Sequence, residues 1–233
     1  MDAQAWDERY SAADLVWSSG PNGFVEELLT PLLAARPGGS ALDIAAGEGR
    51  NAIWLAQQGW SVTATDYSAV AVERMRLRAE AVLGAQADRL TAVVADATTP
   101  PPGGPHAYDV ALFSYLQLPS GEMGLALRAA LGAVRPGGHL LLVGHAGRNL
   151  DEGWGGPSDR AVLHDPEEVL ALLGNGESGD SGGSGESGAS DGFEVVESGI
   201  RVRTVDTPDG TREALDTVVL LTRSRPRDVE ATA

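Results

Sequence analysis

The chain has 233 residues, of which 17 are basic and 33 acidic, giving a formal net charge of −16. A field of that sign repels nucleic acids and anionic membranes, so we expect neither as a partner. No apolar run is long enough for a membrane span, and with no cysteine there is no disulfide or thiolate metal site. The start of the chain lacks a signal-peptide pattern, and we expect a cytoplasmic protein.

Strand-like and helix-like segments alternate over residues 24–143. An amphipathic helix is predicted at residues 24–35, with Asn22 as its cap, and Pro31 is expected to kink or split it. Alternation of this kind is typical of a mostly parallel sheet with right-handed crossovers. The predicted strands are residues 41–45, 61–65, 90–95, 110–113 and 139–143, and the helices between them are residues 51–58, 69–85 and 121–134.

The last part of the chain breaks this alternation. Residues 193–205 and 211–222 are strand-like, and Thr207-Pro208-Asp209-Gly210 joins them as a turn, which predicts an antiparallel hairpin. The predicted fold class is therefore α/β: a doubly wound, mostly parallel, seven-stranded sheet with a C-terminal antiparallel hairpin. A dinucleotide-binding sheet usually ends in a parallel strand instead.

We expect one domain spanning residues 1–233. Within it, residues 1–36 are predicted to form an N-terminal helical lid or cap, and residues 224–233 a flexible tail. Residues 174–192 consist of Gly, Ser, Asn, Ala and acidic residues, a composition that cannot bury a core. This stretch is predicted to be a disordered insertion within the domain, because the hairpin that follows is too small to fold alone.

A glycine-rich turn, Gly47-Glu48-Gly49, follows the first predicted strand. In a doubly wound sheet a ligand binds at such a turn, where the strand order reverses. The run from Gly47 to Ala52 also satisfies the dinucleotide fingerprint, so the pattern alone leaves the cofactor open. Acidic Asp43 and Glu48 disfavour a pyrophosphate and favour a cofactor with sulfonium and ammonium groups, although Arg50 partly offsets this.

Two further carboxylates end the second and third predicted strands. Asp66 is placed to accept hydrogen bonds from both hydroxyls of a ribose, and Asp96 from the exocyclic amine of an adenine. Each has a structural alternative, a helix cap ahead of Ser68 for the first and a turn before a Pro/Gly-rich loop for the second.

The sequence around the turn resembles class I S-adenosylmethionine-dependent methyltransferases. It is most similar to the tellurite-resistance and thiopurine methyltransferase-like group, although many relatives have Cys where this chain has Ala46. The resemblance rests on residues 42–52, Leu55-Ala56, Gly59-Trp60, Val62, Asp66-Tyr67-Ser68, Trp6-Asp7-Glu8-Arg9-Tyr10 and Val16-Trp17, and more weakly on Asp96, Tyr108-Asp109-Val110, Arg135-Pro136-Gly137-Gly138 and the hairpin.

This resemblance implies a Rossmann-like fold, S-adenosylmethionine as the cofactor and methyl transfer by in-line displacement. Asp43, Gly47 and Gly49 would then hold the methionine moiety, and Tyr10 with Trp17 would either close over the cofactor or belong to the core. The full set of implied cofactor-binding residues is Asp43, Ala45, Gly47, Gly49, Arg50, Asp66, Tyr67, Asp96, Ala97, Ser114, Tyr10 and Trp17.

Two residues are candidates for catalysis. His145 follows the fifth predicted strand at the ligand-facing end of the sheet, where it is either a general base or a surface loop residue. Tyr115 lies in residues 114–119, a loop that often faces the transferring methyl group in such proteins. Residues 148–160 are expected to be either a substrate lid or a plain loop. Four scattered histidines show no metal spacing, so no metal is predicted.

The acceptor is expected to be a small molecule, and the sequence names neither the molecule nor the methylated atom. It also gives no oligomeric state. Two alternatives stay open at this point: an NAD(P)-dependent oxidoreductase, and a methyltransferase-fold protein that uses the cofactor for binding or for a non-methylating reaction.

Overall fold

The structure is a computed structural model and describes residues 3–12, 20–174 and 192–225. These residues form one seven-stranded sheet covered by helices on both faces. The strands are β1 Ser40–Ile44, β2 Ser61–Asp66, β3 Leu90–Val94, β4 Tyr108–Ser114, β5 Val134–His145, β6 Phe193–Thr207 and β7 Gly210–Arg223, and the helices are α1 Ala3–Ala12, α2 Gly23–Ala35, α3 Arg50–Gln57, α4 Ala69–Leu83, α5 Ser120–Ala133, α6 Asn149–Glu152 and α7 Pro166–Gly174.

The strand order is β3-β2-β1-β4-β5-β7-β6. Strands β1 to β5 are parallel to their neighbours, and β7 pairs antiparallel with both β5 and β6. The predicted fold class is therefore confirmed. Because the chain moves outward from β1 to β3 and then returns to β4, the loops after β1 and β4 diverge and leave a crevice between them.

Two apolar cores hold the helices to the sheet. One face packs β1, β2 and the alternate residues of β4 and β5 against α2, α3 and α4, with Trp60 fully buried there. The other face packs β4, β5 and β7 against α5 and α7. The central strand β4 is buried over six of its seven residues, as expected of a parallel strand covered on both faces.

The sequence-based element bounds are correct in most cases, with two exceptions. Helix α2 runs unbroken through Pro31, because buried Val25, Leu29 and Leu33 hold both halves against the sheet, and its predicted Asn22 cap accepts hydrogen bonds from two helix N–H groups. Strand β5 is longer than the predicted 139–143, because residues 134–138 continue it past a register shift opposite β4.

Three of the predicted features fall wholly or largely outside the described residues. They are Trp17, most of the predicted insertion and most of the predicted tail. Among the described helices, none has the length and apolar character that crossing a bilayer requires.

The end of α5 is fixed by a buried arginine from the last strand. The Arg223 guanidinium donates hydrogen bonds to the main-chain oxygens of Leu131, Gly132 and Val134, at 2.7 to 3.0 Å. These oxygens lie at the carboxyl end of α5, where helix carbonyls lack partners within the helix. The guanidinium therefore ties the hairpin to the helix that covers the crevice edge of the sheet.

We predict that Arg223→Met lowers the free energy of unfolding by about 1.5–3 kcal/mol, because it removes the charged donor that these three main-chain oxygens share. Urea denaturation measures this difference. Arg212→Met is the matched control on the same hairpin. Its exposed side chain stacks on Trp154, and its loss is expected to cost less than about 1 kcal/mol. Equal losses for the two variants would contradict the capping role.

Candidate active site

The turn between β1 and α3 has a left-handed backbone conformation, which its glycines adopt readily. Ala45, Gly47 and Gly49 all have positive φ, at 55°, 58° and 78°. Gly49 directly precedes α3, and a Cβ at this position would collide with the Met75 side chain of α4. The glycine therefore serves both the turn and the close approach of two helices.

Polar atoms without partners are buried at the carboxyl ends of β1 and β4. The Asp43 side chain is 0% exposed, and neither of its carboxylate oxygens accepts a hydrogen bond from the described residues. The Ser114 hydroxyl is likewise buried and unpaired within those residues. Burial raises the pKa of Asp43 to about 7, against the opposing effects of the nearby Arg50 guanidinium and the Ala52 N–H. Such groups are rare in folded proteins, and together they indicate a ligand site.

Asp66 links the glycine turn to the end of β2. Its Oδ2 accepts a hydrogen bond from the Gly47 N–H at 2.8 Å, and its Oδ1 accepts one from the Ser68 N–H at 2.9 Å. Burial raises its pKa, although these backbone donors oppose the shift. The capping alternative is thus part of its role, and each oxygen keeps a second lone pair for a ligand hydroxyl.

Asp96 and Ala97 line a shallow recess, open to solvent and about 240 Å³ including that open space, beside the ends of β1, β2 and β3. Asp96 is exposed, and its Oδ1 accepts hydrogen bonds from the backbone and hydroxyl of Thr98, both at 2.8 Å. The turn role considered for this residue is therefore present. The recess has an apolar floor that includes Ile44 and Ala130, on which a flat ring could rest.

A second recess, of about 340 Å³ and open to solvent, lies between the ends of β4 and β5. We call it the β4–β5 recess. Most of its lining residues are apolar, although polar and apolar atoms contribute about equally to the exposed lining, and its polar side chains are Gln117, His145 and His164. Its apolar side chains are Phe113, Leu116, Met123, Leu142, Val143, Val162 and Leu163.

Tyr115 lies at the centre of a hydrogen-bonded cluster next to this recess. Its hydroxyl donates to Oδ2 of Asp216 at 2.6 Å, and it accepts from Arg203 Nε at 3.0 Å and from Asn22 Nδ2 at 3.2 Å. Burial and the Asp216 carboxylate both raise the pKa of Tyr115. The cluster thus joins α2, the loop after β4, and the hairpin.

His145 is the last residue of β5, and its side chain is only 13% exposed. Its Nδ1 lies 3.3 Å from Oδ1 of Asp216, and its ring centroid lies 4.8 Å from that of Tyr115. The antiparallel register of β5 with β7 places His145 directly opposite Asp216. Both residues predicted to act in catalysis are therefore brought together.

Asp216 and Arg203 were missed by the sequence reasoning. Asp216 is a fully buried carboxylate in the buried half of β7, and Arg203 Nε donates to its Oδ2 at 2.7 Å. Burial raises the pKa of Asp216, but contacts from His145, Arg203 and Tyr115 together hold it below its ordinary value. A lone acidic residue in the run Leu215-Asp216-Thr217-Val218 was the available signal.

The other predicted cofactor residues surround the same crevice. Arg50 lies over the Tyr115 ring at 5.8 Å, and burial lowers the pKa of its guanidinium. Tyr67 is half-buried just after β2. Tyr10 is buried and packs against Trp6 in α1, a helix anchored where Asp7 accepts hydrogen bonds from Ser68 and from the Val70 N–H. In the described ranges, no group of three or more His, Asp or Glu side chains could hold a metal ion.

Residues 41–138 match the family model of the methyltransferase domain. This stretch of the chain is a methyltransferase domain. The match covers the glycine turn, Asp43, Asp66, Asp96 and the loop after β4, and it favours methyl transfer over the oxidoreductase alternative. The predicted resemblance to S-adenosylmethionine-dependent methyltransferases is thus confirmed. No curated protein matches the sequence significantly.

Solved structures show the same fold. A protein described for the conversion of a disulfide bond into a thioacetal group during echinomycin biosynthesis is similar with a TM-score of 0.67 and 18% identity, over 95% of this chain and 92% of that chain. Magnesium protoporphyrin IX methyltransferase (ChlM) from Synechocystis PCC 6803, with bound SAM, gives 0.61 and 19%, over 96% and 98%. TehB from Haemophilus influenzae gives 0.61 and 15%, over 89% of this chain and 64% of that chain.

We predict that Gly49→Ala lowers the free energy of unfolding of the methyltransferase by about 2–4 kcal/mol, since a Cβ strains the left-handed backbone and overpacks Met75. The control is Gly132→Ala in α5, where no atom lies within 4 Å of an added Cβ. That change is expected to stabilise by about 0.5–1 kcal/mol through helix propensity. Thermal or urea unfolding measures both, and a neutral Gly49→Ala would contradict the packing argument.

A second prediction concerns Asp43 and pH. Its pKa is about 7 in the folded chain against an ordinary 3.8. Between these values the folded state binds more protons than the unfolded state, so the contribution of Asp43 to stability falls as pH rises and levels off above pH 7. Without ligand, Asp43→Asn should therefore gain stability over the wild type with rising pH, by up to about 4 kcal/mol near pH 8.

Urea unfolding of both proteins at pH 5, 6, 7 and 8 tests this expectation. The difference between the two free energies isolates Asp43 from every other titrating group. If the difference stays constant with pH, the pKa of Asp43 is not raised in the folded protein.

Proposed function

We propose that the chain transfers a methyl group from S-adenosylmethionine to a small-molecule acceptor by in-line displacement. Methyl transfer is the activity of the domain family, and S-adenosylmethionine is its cofactor. The observation that carries the proposal for this chain is the buried, unpartnered carboxylate of Asp43 beneath the glycine turn.

An unpaired buried carboxylate opposes folding, so its presence at the switch point calls for a cationic partner. S-adenosylmethionine brings an ammonium and a sulfonium, and either cation would lower the pKa of Asp43 and ionise it. A dinucleotide would instead bring a pyrophosphate toward Asp43 and Glu48. The residues present therefore fit a cationic cofactor better than an anionic one.

The remaining crevice offers places for the other parts of the cofactor. Asp66 would accept hydrogen bonds from the ribose hydroxyls through its free lone pairs, and Tyr67 would lie beside the ribose. The 240 Å³ recess beside Asp96 and Ala97 has the apolar floor that an adenine ring needs. Arg50 and the glycine turn, with Ala45, would contact the methionine end, and Ser114 would meet it from β4.

The acceptor would bind on the opposite side of Ser114, toward the β4–β5 recess. A net charge of −16 disfavours nucleic acid there, and the recess suits a small molecule. The cofactor supplies an activated methyl group when bound. The protein then contributes orientation and a dry site, which lower the barrier by roughly 7–11 kcal/mol. Helix α1 with Tyr10, together with Trp17, would cover the cofactor from the N-terminal side.

Calorimetric titration with S-adenosylmethionine, S-adenosylhomocysteine, NAD and NADP tests the proposal. We expect micromolar binding of the adenosyl ligands and none of the dinucleotides. Asp43→Asn should weaken S-adenosylmethionine binding about 10- to 100-fold, because a charge-assisted contact is lost. The matched control is Asp109→Asn, a buried carboxylate at the opposite end of β4 that pairs with Arg36 and Arg135, and it should leave binding unchanged.

Two results would overturn the proposal. Binding of a dinucleotide would assign the crevice to a different cofactor class. Tight binding of S-adenosylmethionine with no S-adenosylhomocysteine formed over a broad set of acceptors would favour a protein that uses the cofactor for binding or for a non-methylating reaction.

A further inference from the structure

Two histidines line the β4–β5 recess, and His145 has a ring nitrogen that can meet a bound molecule. Of its polar side chains, His164 has its Nε2 within 2.9 Å of the Leu118 carbonyl, and its own carbonyl accepts from Thr217. His145 Nδ1 lies 3.3 Å from Oδ1 of Asp216, a contact that falls outside hydrogen-bond geometry. Within the described part of the chain, no group hydrogen-bonds its Nε2. That nitrogen is therefore available to a bound molecule.

Asp216 decides which nitrogen of His145 carries the proton. Its Oδ2 accepts from the Tyr115 hydroxyl and from Arg203, and its Oδ1 lies 3.3 Å from His145 Nδ1. Held ionised by these contacts, the carboxylate can only accept hydrogen bonds. Its negative charge, 3.3 Å from Nδ1, therefore favours a proton on Nδ1 and leaves the lone pair on Nε2.

Tyr115 is not available as the base. Its hydroxyl proton is donated to Asp216 at 2.6 Å, and Arg203 and Asn22 fill the acceptor side of the same oxygen. The groups that face His145 are thus Asp216 from β7, Tyr115 from the loop after β4, and His164 across the recess. Arg203 stands behind Asp216.

We propose that the β4–β5 recess binds an acceptor with an apolar body and a hydroxyl group, such as a phenol, and that His145 Nε2 removes the hydroxyl proton while Asp216 and Tyr115 act as positioning residues. The proposal rests on the proposed function. A thiol of ordinary acidity ionises near neutral pH without help, whereas a phenol with a pKa of about 10 gains from a base.

The proposed step moves two electron pairs and one proton. An electron pair of the hydroxyl oxygen forms the bond to the methyl carbon, and the pair of the broken carbon–sulfur bond stays on sulfur. The hydroxyl proton passes to His145 Nε2. The imidazolium that forms is stabilised by Asp216 and later releases its proton to solvent.

The first experiment reads the tautomer directly, without turnover. Nitrogen-15 NMR of the histidine rings, at a pH where the ring is neutral and with His145→Gln for assignment, should show the proton of His145 on Nδ1. Asp216→Asn should shift it toward Nε2, because the amide NH₂ can donate to Nδ1. Asp109→Asn, the equivalent change in a buried carboxylate far from the site, should not. A wild-type proton on Nε2 would overturn the proposal.

The second experiment compares two probes of the same shape, 2-naphthol and 2-naphthalenethiol. Addition of 2-naphthol should shift the His145 ring signals of the wild type. His145→Gln and Asp216→Asn should lower kcat for 2-naphthol about 10²- to 10⁴-fold, with KM changed less than about threefold. The rate with the thiol should fall less than about tenfold.

Each contrary result has a separate meaning. If the two variants lose activity equally toward both probes, His145 and Asp216 have only a structural role. If 2-naphthol causes no shift of the His145 ring signals, or if only the thiol is methylated, the acceptor is not a hydroxyl compound. A protein that fails to bind S-adenosylmethionine calorimetrically would instead contradict the proposed function.

Discussion

The pairing of β1 with both β2 and β4 is the constraint on which the site depends. It forces the chain to leave β1 in one direction and to re-enter the sheet on the other side, so the loops after β1 and β4 separate. Asp43 and Ser114 lie at the carboxyl ends of these two strands, and each has buried polar atoms without a hydrogen bond from the described residues. Because the backbone there is fixed by parallel ladders on both sides, the gap exists before any ligand arrives.

Four buried carboxylates of the chain differ in their hydrogen-bond and ion-pair partners. Asp66 is satisfied by backbone N–H groups, and Asp216 by a tyrosine, an arginine and a histidine. Asp109 is satisfied by arginines at the other edge of the sheet. Among these four, only Asp43 has neither carboxylate oxygen in a hydrogen bond of good geometry with the described residues, although Arg50 lies near enough to lower its pKa. A buried carboxylate without compensating hydrogen bonds costs free energy, and such a group among carboxylates that are well paired is typical of a binding site.

Much of the fold and half of the site follow from local sequence patterns. Strand and helix periodicity, the glycine turn, the Asn22 cap and the Pro-Asp-Gly turn are written in contiguous residues, and each was placed within a few positions of its observed bounds. The cluster around Asp216 was not predicted, because Tyr115 and Asp216 are separated by 101 positions and meet only through strand register. Pro31 shows the reverse case, in which tertiary packing overrides a local helix breaker.

The family match ends at residue 138, whereas His145, Arg203 and Asp216 all lie beyond it. The β4–β5 recess is thus built from both parts of the chain: Phe113, Leu116 and Met123 lie inside the matched stretch, and His145 with its partner Asp216 lies beyond it. Under the proposed function, substitutions in the hairpin would alter the acceptor side while Asp43 and the glycine turn keep their contacts. Proteins that share the first stretch need not share a substrate, and their specificity is to be sought in the residues that pair with β5.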